Sequence, residues 1–396
     1  MNKYLILLLP TLLQVIDIFP GTILLFSALI LGVGIHLVVN LKFNFNRGIV
    51  LKGVSWYVLS MLMIGASLAM MHLDPTYGYY NYEKSLSYMV RVSFVFITFL
   101  FLFFVIYKQE FDSHDFLMRF SYFLFGLILF SAIFEFLAKT WGFNDLLYLY
   151  KARQDLGGID TIHYNRLSGF YSFPGDIAAV IVLNFVLVKN YVKKYKILML
   201  TILLVFLLLT QSKAGLVLLL SYLFFSMMTN GSYKLYLGIL MSLALIYLVI
   251  IFFKEYFVYY FQFFNQLDFY LESSKRAQEI LSYFSLDFFG LAIGNPVLDK
   301  TYETELFGSL NRVGFIGSFW FLSVLFLIPI IYFKRKFKFD IFLILILFLV
   351  VYCSISAGFG RFKILLPYMI VFIAALLHQP PNHFFKKIKK VNFCRR

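Results

Sequence analysis

The chain has 396 residues, of which 61% are hydrophobic and only 14% charged, with a mean hydropathy of +0.84. A soluble domain of this size carries roughly a quarter charged residues, so the composition excludes soluble folding and calls for an integral membrane protein with several spans. The formal net charge of +15 would suit nucleic acid if it were gathered in one region, but it is spread as an orientation signal, and no nucleic-acid partner is expected.

Backbone groups in lipid must be satisfied inside the spanning element, which leaves helices or a closed barrel. Runs such as ILMLTILLVFLLLT at 197–210 are continuously apolar and lack the alternation of barrel strands, so the expected class is all-α. At the start, MNKYLILLLP has one lysine and a short apolar core, yet QVIDIFPG follows where a signal peptide would carry small residues. It is expected to remain as a first span.

Twelve apolar segments follow one another, at roughly 4–19, 22–39, 53–71, 88–107, 117–138, 176–188, 197–210, 214–228, 235–253, 313–333, 341–357 and 364–377. Several in the middle fall short of the ~20 residues that a bilayer needs; adjoining polar residues must extend them, or they break within the protein. Between them lie two long polar stretches, 139–175 and 254–312. The whole, 1–396, reads as one membrane domain, with neither an internal repeat nor a low-complexity linker. Around 255–285 the second loop is expected to hold an interfacial helix.

Orientation follows from lysine and arginine. With the basic tail 378–396 (HQPPNHFFKKIKKVNFCRR) in the cytoplasm, 21 of the 35 basic residues fall on that side, and only Glu110, Asp112, Asp115 and Asp340 of the 20 acids join them. Both termini are then cytoplasmic and both long loops face outward, with anionic lipid headgroups as neighbours of the inner face. Aromatic clusters YGYYNY at 77–82 and YFVYYFQFF at 256–264 fall where an outer aromatic belt would, although sugar stacking is an alternative use.

The positive-inside rule disfavours basic residues at the outer ends of spans, which makes Arg166, Arg276, Arg312 and Lys213 conspicuous. Loop solubility and pairing with nearby acids explain any one of them better than all together. Arginine forks match phosphate oxygens and remain charged at physiological pH. A metal-free site that expels a pyrophosphate needs such cations to stabilise the departing charge. A sugar hydroxyl attacking an anomeric carbon also profits from a base, for which Glu303, Glu305, Asp176 and His163 are candidates. Asp176 has an alternative as a charge favoured by a helix start, and His163 as an ordinary surface histidine. No phosphate loop, dinucleotide fingerprint or zinc-binding helix occurs in the sequence. The two cysteines, Cys353 and Cys394, form neither a disulfide framework nor a metal site. Neither a cofactor nor a metal is expected.

RLSGFYSFPGDIAA, beginning at Arg166, resembles the Arg-x-x-Gly…Pro-Asn-x-x-Ala signature of the bacterial O-antigen ligase and Wzy-type polymerase superfamily. Arg166, Gly169, Pro174 and Ala178 match, and Gly175 stands where the family has Asn. LTQSKAGLVLLL resembles the family's Thr-x-Ser-Arg segment, with Thr210 and Ser212 matching and Lys213 in place of Arg. FFGLAIGNP and ETELFGSLNRVGFIGSFWFL are similar to the Gly-rich turn and Gly-x-x-Gly helix start closing the family's large outer loop, matched at Gly314 and Gly317. A ligase has a histidine eleven residues before that first glycine, where this chain has Glu303, so the resemblance leans toward a polymerase.

The resemblance implies a GT-C-like membrane glycosyltransferase of about 12 transmembrane helices, metal-independent, in the cytoplasmic membrane with its active face outward. It would join undecaprenyl-pyrophosphate-linked repeat units into O-antigen, capsule or exopolysaccharide, beside a flippase and a chain-length regulator. Arg166, Arg276, Arg312 and Lys213 would hold the pyrophosphate, with Glu303, Glu305 or Asp176 as base. Gly169, Pro174, Gly314 and Gly317 would shape turns. The alternatives are an O-antigen ligase and a lipid-linked oligosaccharide flippase or transporter. A transporter places ionisable residues near the midplane, whereas Arg91 and Glu135, the main charges within apolar runs, lie toward the outer ends.

Overall fold

A computed structural model describes residues 113–143, 166–171, 173–230, 339–353 and 362–376, the pairs 153–154 and 158–159, and positions 55, 62, 282, 284–285, 291, 306–307, 310–311, 314–315 and 318. Six of the twelve expected segments fall here in whole or in part, and each is represented by a helix: α1 (Ser113–Thr140), α2 (Pro174–Tyr191), α3 (Lys196–Leu209), α4 (Lys213–Asn230), α5 (Phe339–Leu347) and α6 (Phe362–Leu376). The other six segments lie outside the described residues, apart from single positions. Within the first long loop, β1 (Arg153–Gln154) and β2 (Gly158–Ile159) form a minimal antiparallel ladder. Among the described residues, two helices, within α1 and over α2, are long and apolar enough to cross a membrane.

α2 is the axis of the bundle. It is apolar all round, and side chains on every face of it are buried, as expected of a helix enclosed by others. α1, α3, α4, α5 and α6 all pack on it. Its start is set by the chain itself. Phe173 is extended (φ −129°, ψ 145°) and Pro174 opens the helix, where a missing N–H costs nothing and the fixed φ suits the first turn. Asp176 in that turn complements the positive end of the helix dipole.

Close approach and polar contacts fix the packing around α2. On α4, Gly215 lies so near α2 that an added Cβ would meet the Ala178 Cβ at 2.5 Å. From the far side, Tyr352 donates to the Gly175 carbonyl and Tyr368 to the Ala179 carbonyl, each at 2.9 Å. The helix begun by α5 widens into a π-turn over Phe348–Tyr352, and the Phe348 ring stacks 3.8 Å from that of Tyr368. Between α1 and α2 the Asn184 amide, nitrogen toward α1, donates to the Ser121 hydroxyl and carbonyl at 3.0 Å and accepts from the Phe125 N–H at 3.1 Å.

Short connections make α2, α3 and α4 run antiparallel. Residues 192–195 turn α2 into α3, with Tyr195 left-handed at φ 57°. At this end Lys189 reaches the Tyr222 hydroxyl at 3.0 Å, Ser226 at 2.8 Å and the Asp340 carboxylate at 3.6 Å. Ser226 in turn donates to Asp340 at 3.0 Å, so one polar knot joins α2, α4 and α5. The opposite end of the bundle carries the sequence signatures.

Candidate functional site at the Arg166 turn

Residues 210–212 reverse the chain between α3 and α4, and each has a role in doing so. The Thr210 hydroxyl donates back to the Leu207 carbonyl at 2.6 Å and accepts from the Ser212 N–H at 3.2 Å. Gln211 takes a left-handed φ of 48°. The Ser212 hydroxyl accepts from the Gly215 N–H at 3.2 Å, the bond by which a serine N-cap satisfies an orphan donor of the first turn. The Thr-x-Ser spacing is thus that of a helix–turn–helix with both ends capped.

Arg166 inserts into this turn. Its side chain is 8% exposed; Nε donates to the Thr210 carbonyl at 3.1 Å and Nη2 to the Gln211 carbonyl at 2.9 Å. Next to it, the Leu167 N–H donates to the Leu209 carbonyl at 2.9 Å. A guanidinium at these carbonyls answers both the unsatisfied acceptors and the negative end of the α3 dipole. Two signatures 44 residues apart in sequence therefore meet in one polar cluster.

α1 holds the other side of the turn. The Ser168 and Gly169 N–H groups both donate to Glu135 Oε2, the first at 2.8 Å, and the Phe170 N–H donates to Ser131 Oγ at 2.7 Å. Ser131 and Glu135 are one helical turn apart, so one face of α1 grips three successive amides. Glu135 is 1% exposed and pairs through Oε1 with Lys139 at 2.6 Å. Gly169 has φ +56°, and a Cβ there would fall 1.7 Å from Ser131 Oγ. Phe170 anchors the turn against the rings of Phe130 and Phe134, at 5.5 and 4.8 Å.

Beyond the turn lies Tyr171, fully buried. Burial, reinforced by the Asp176 carboxylate, pushes its phenol well above the ordinary range, so it stays protonated. Neither the Tyr171 nor the Ser168 hydroxyl has a hydrogen-bond partner among the described residues. A mostly apolar cavity of about 360 Å³ opens beside Leu167, between Ile133, Glu135, Phe136 and Lys139 of α1 and Phe206 and Leu209 of α3.

Of the expected site residues, Arg166, Gly169, Pro174 and Asp176 sit along this turn and its following helix. Lys213 is the first residue of α4, directly after the Ser212 cap. Gly314 has a positive φ, +63°. Arg276, Arg312, Glu303, Glu305, Gly317 and His163 lie outside the described residues. Sequence reasoning noted Glu135 as a charge in an apolar run but gave it no role at the site. Its isolation among aromatic and aliphatic neighbours was the available signal. Among the described residues, no three His, Cys, Asp or Glu side chains are grouped to hold a metal ion.

No family model matches the chain, and neither the curated proteins nor the solved structures contain a match to it.

Proposed function

We propose that this chain is a polytopic membrane glycosyltransferase that polymerises undecaprenyl-pyrophosphate-linked repeat units on the outer face of the cytoplasmic membrane. The observation that carries the reading is the union of the Arg166 turn with the Thr210–Lys213 turn through the Arg166 guanidinium. A polar cluster at one end of an apolar bundle suits a lipid-linked headgroup at a membrane surface. Exposed apolar side chains such as Phe130 and Phe136 on α1, Ile197 and Val205 on α3 and Phe224 on α4 suit contact with lipid. About twelve spans, cytoplasmic termini and outward-facing long loops complete the topology, and they place the Arg166 cluster outside.

In the proposed reaction a hydroxyl of one lipid-linked repeat unit attacks the anomeric carbon of the growing chain. The C–O bond to the pyrophosphate breaks, the proton passes to a carboxylate, and the undecaprenyl pyrophosphate leaves. Arg166, Arg276, Arg312 and Lys213 stabilise its charge. Glu303, Glu305 or Asp176 takes the proton. Lys213 speaks for anion binding in its own right, since a cation at a helix N-terminus opposes the dipole and gains most when an anion is bound there. A flippase and a chain-length regulator are the expected partners.

The test is a gel of surface glycan from a strain lacking the gene, complemented with wild type, Arg166→Lys or Lys213→Ala at matched membrane abundance. A ladder that collapses to one repeat unit, returns with wild type and falls at least about tenfold with either variant is expected, a loss of 1.4 kcal/mol or more in transition-state binding. A ladder indifferent to loss of the gene refutes the reading. Loss of even the single-repeat band points to the ligase or flippase instead.

A further inference from the structure

We infer that Glu135 is the positioning residue of this site: from α1 it fixes the backbone turn on which Arg166 is presented. The inference rests on the proposed role of the Arg166 turn and extends it to a residue outside both signatures.

Three observations combine. First, Glu135 is 1% exposed within an apolar helix. A carboxylate in that setting is retained at a cost in desolvation, and in a spanning segment it marks function by default. Second, its Oε2 accepts from two consecutive amides, Ser168 and Gly169. Successive N–H groups around a left-handed residue make a concave anion-binding nest, and here a carboxylate from a neighbouring helix fills it. Gly169 supplies the left-handed residue at φ +56°. Third, the same turn is fastened on its opposite side, where Arg166 and Leu167 bond to the end of α3.

The guanidinium is therefore located from two directions, by the α1 carboxylate acting on the backbone after it and by α3 carbonyls acting on its own nitrogens. Without Glu135 the two amides lose their acceptor, while the turn keeps its α3 fastening, the Phe170–Ser131 bond and the ring contacts of Phe170. A displacement of about 1 Å in a group that stabilises a transition state is enough for a large loss of rate. Glutamine keeps an acceptor oxygen at the nest while giving up the attraction to Lys139, so it should preserve most of the geometry.

Hydrogen–deuterium exchange of the purified full-length protein in detergent tests the geometry, and the glycan ladder tests its consequence. In Glu135→Ala, exchange at Ser168 and Gly169 should accelerate by at least about tenfold while α2 amides keep wild-type protection. Its ladder should be lost at equal membrane abundance, and Glu135→Gln should restore both. Ser131→Ala is a milder companion, with faster exchange confined to Phe170; it also serves where Glu135→Ala fails to accumulate. Unchanged exchange at Ser168 and Gly169 in Glu135→Ala, or unchanged exchange at Phe170 in Ser131→Ala, overturns the inference. So does faster exchange with a wild-type ladder. If deletion of the gene itself leaves the ladder intact, the polymerase reading fails, and exchange alone still decides whether Glu135 holds the turn.

Discussion

Gly169→Ala is the most direct probe of the clasp between α1 and the Arg166 turn. Two costs can be worked out. The backbone is left-handed at φ +56°, and an L-residue with a Cβ pays about 1–2 kcal/mol there. The new methyl would also sit 1.7 Å from Ser131 Oγ and 2.8 Å from its Cβ. A new rotamer at Ser131 clears only the first overlap, and it withdraws the hydroxyl from the Phe170 N–H, which is bonded to it at 2.7 Å. A buried amide deprived of its acceptor costs about 1–3 kcal/mol. The sum is about 2–5 kcal/mol, a large share of the ~5–15 kcal/mol that holds a typical fold together. Equilibrium unfolding of the purified protein in mixed micelles measures it. Ser131→Gly separates the parts, because it removes both Oγ and Cβ, the two nearest atoms, and the next is the backbone carbon, 3.2 Å away. In that background the alanine should cost only the left-handed term of about 1–2 kcal/mol, so the cycle should show a coupling of about 1–3 kcal/mol. A Gly169→Ala protein within about 0.5 kcal/mol of wild type, or an equal cost in both backgrounds, would refute the clasp.

Two further predictions concern the rest of the bundle. Lys189→Met should destabilise the protein by about 1–3 kcal/mol, because Asp340, 15% exposed, loses its cation. Adding Asp340→Leu should recover most of that loss, and a Lys189→Met protein that unfolds with wild-type stability would dismiss the knot as a stabilising feature. Gly215→Val should cost about 1–3 kcal/mol by overpacking, since its Cβ would press on Ala178 at 2.5 Å. Ala178→Gly should relieve it, and a fully additive double variant would show that α4 does not approach α2 this closely.

The helices were legible because long apolar runs announce themselves by composition. The expected 117–138, 176–188, 197–210 and 214–228 sit inside or within a residue of α1, α2, α3 and α4, and the misses are at ends where polar caps such as Ser212 or aromatic residues such as Tyr191 extend an apolar run. The described part of the expected 341–357, up to 353, holds α5 and a π-turn, a widening that hydropathy cannot encode because it leaves the apolar character unchanged. The site was less legible for a different reason. A sequence invites the pairing of charges with charges, which offers Arg166 a phosphate and says nothing of the main chain. In the fold both charges bond to the main chain: Arg166 to the carbonyls of Thr210 and Gln211, Glu135 to the amides of Ser168 and Gly169. Every residue type offers the same carbonyl, and all but proline the same amide, so no pattern of side chains points to these partners.

That distinction decides which residue can best reveal a bound anion. Arg166→Ala removes a cation and also strips the end of α3 of two charge-assisted hydrogen bonds, each worth more than a neutral one. A loss of polymer in that variant follows equally from a displaced turn and from a missing phosphate contact. Arg166→Lys keeps the charge while losing the fork, and so reports on geometry. Lys213 stands differently. It is half-buried at the start of α4, where the Ser212 hydroxyl already satisfies the Gly215 amide, and the dipole of α4 opposes its charge. Removing that cation lifts the opposition of the dipole. A Lys213→Ala protein that unfolds no earlier than wild type yet forms little polymer would therefore isolate a contribution to the anion from a contribution to the fold, which Arg166 by its two anchoring bonds cannot do.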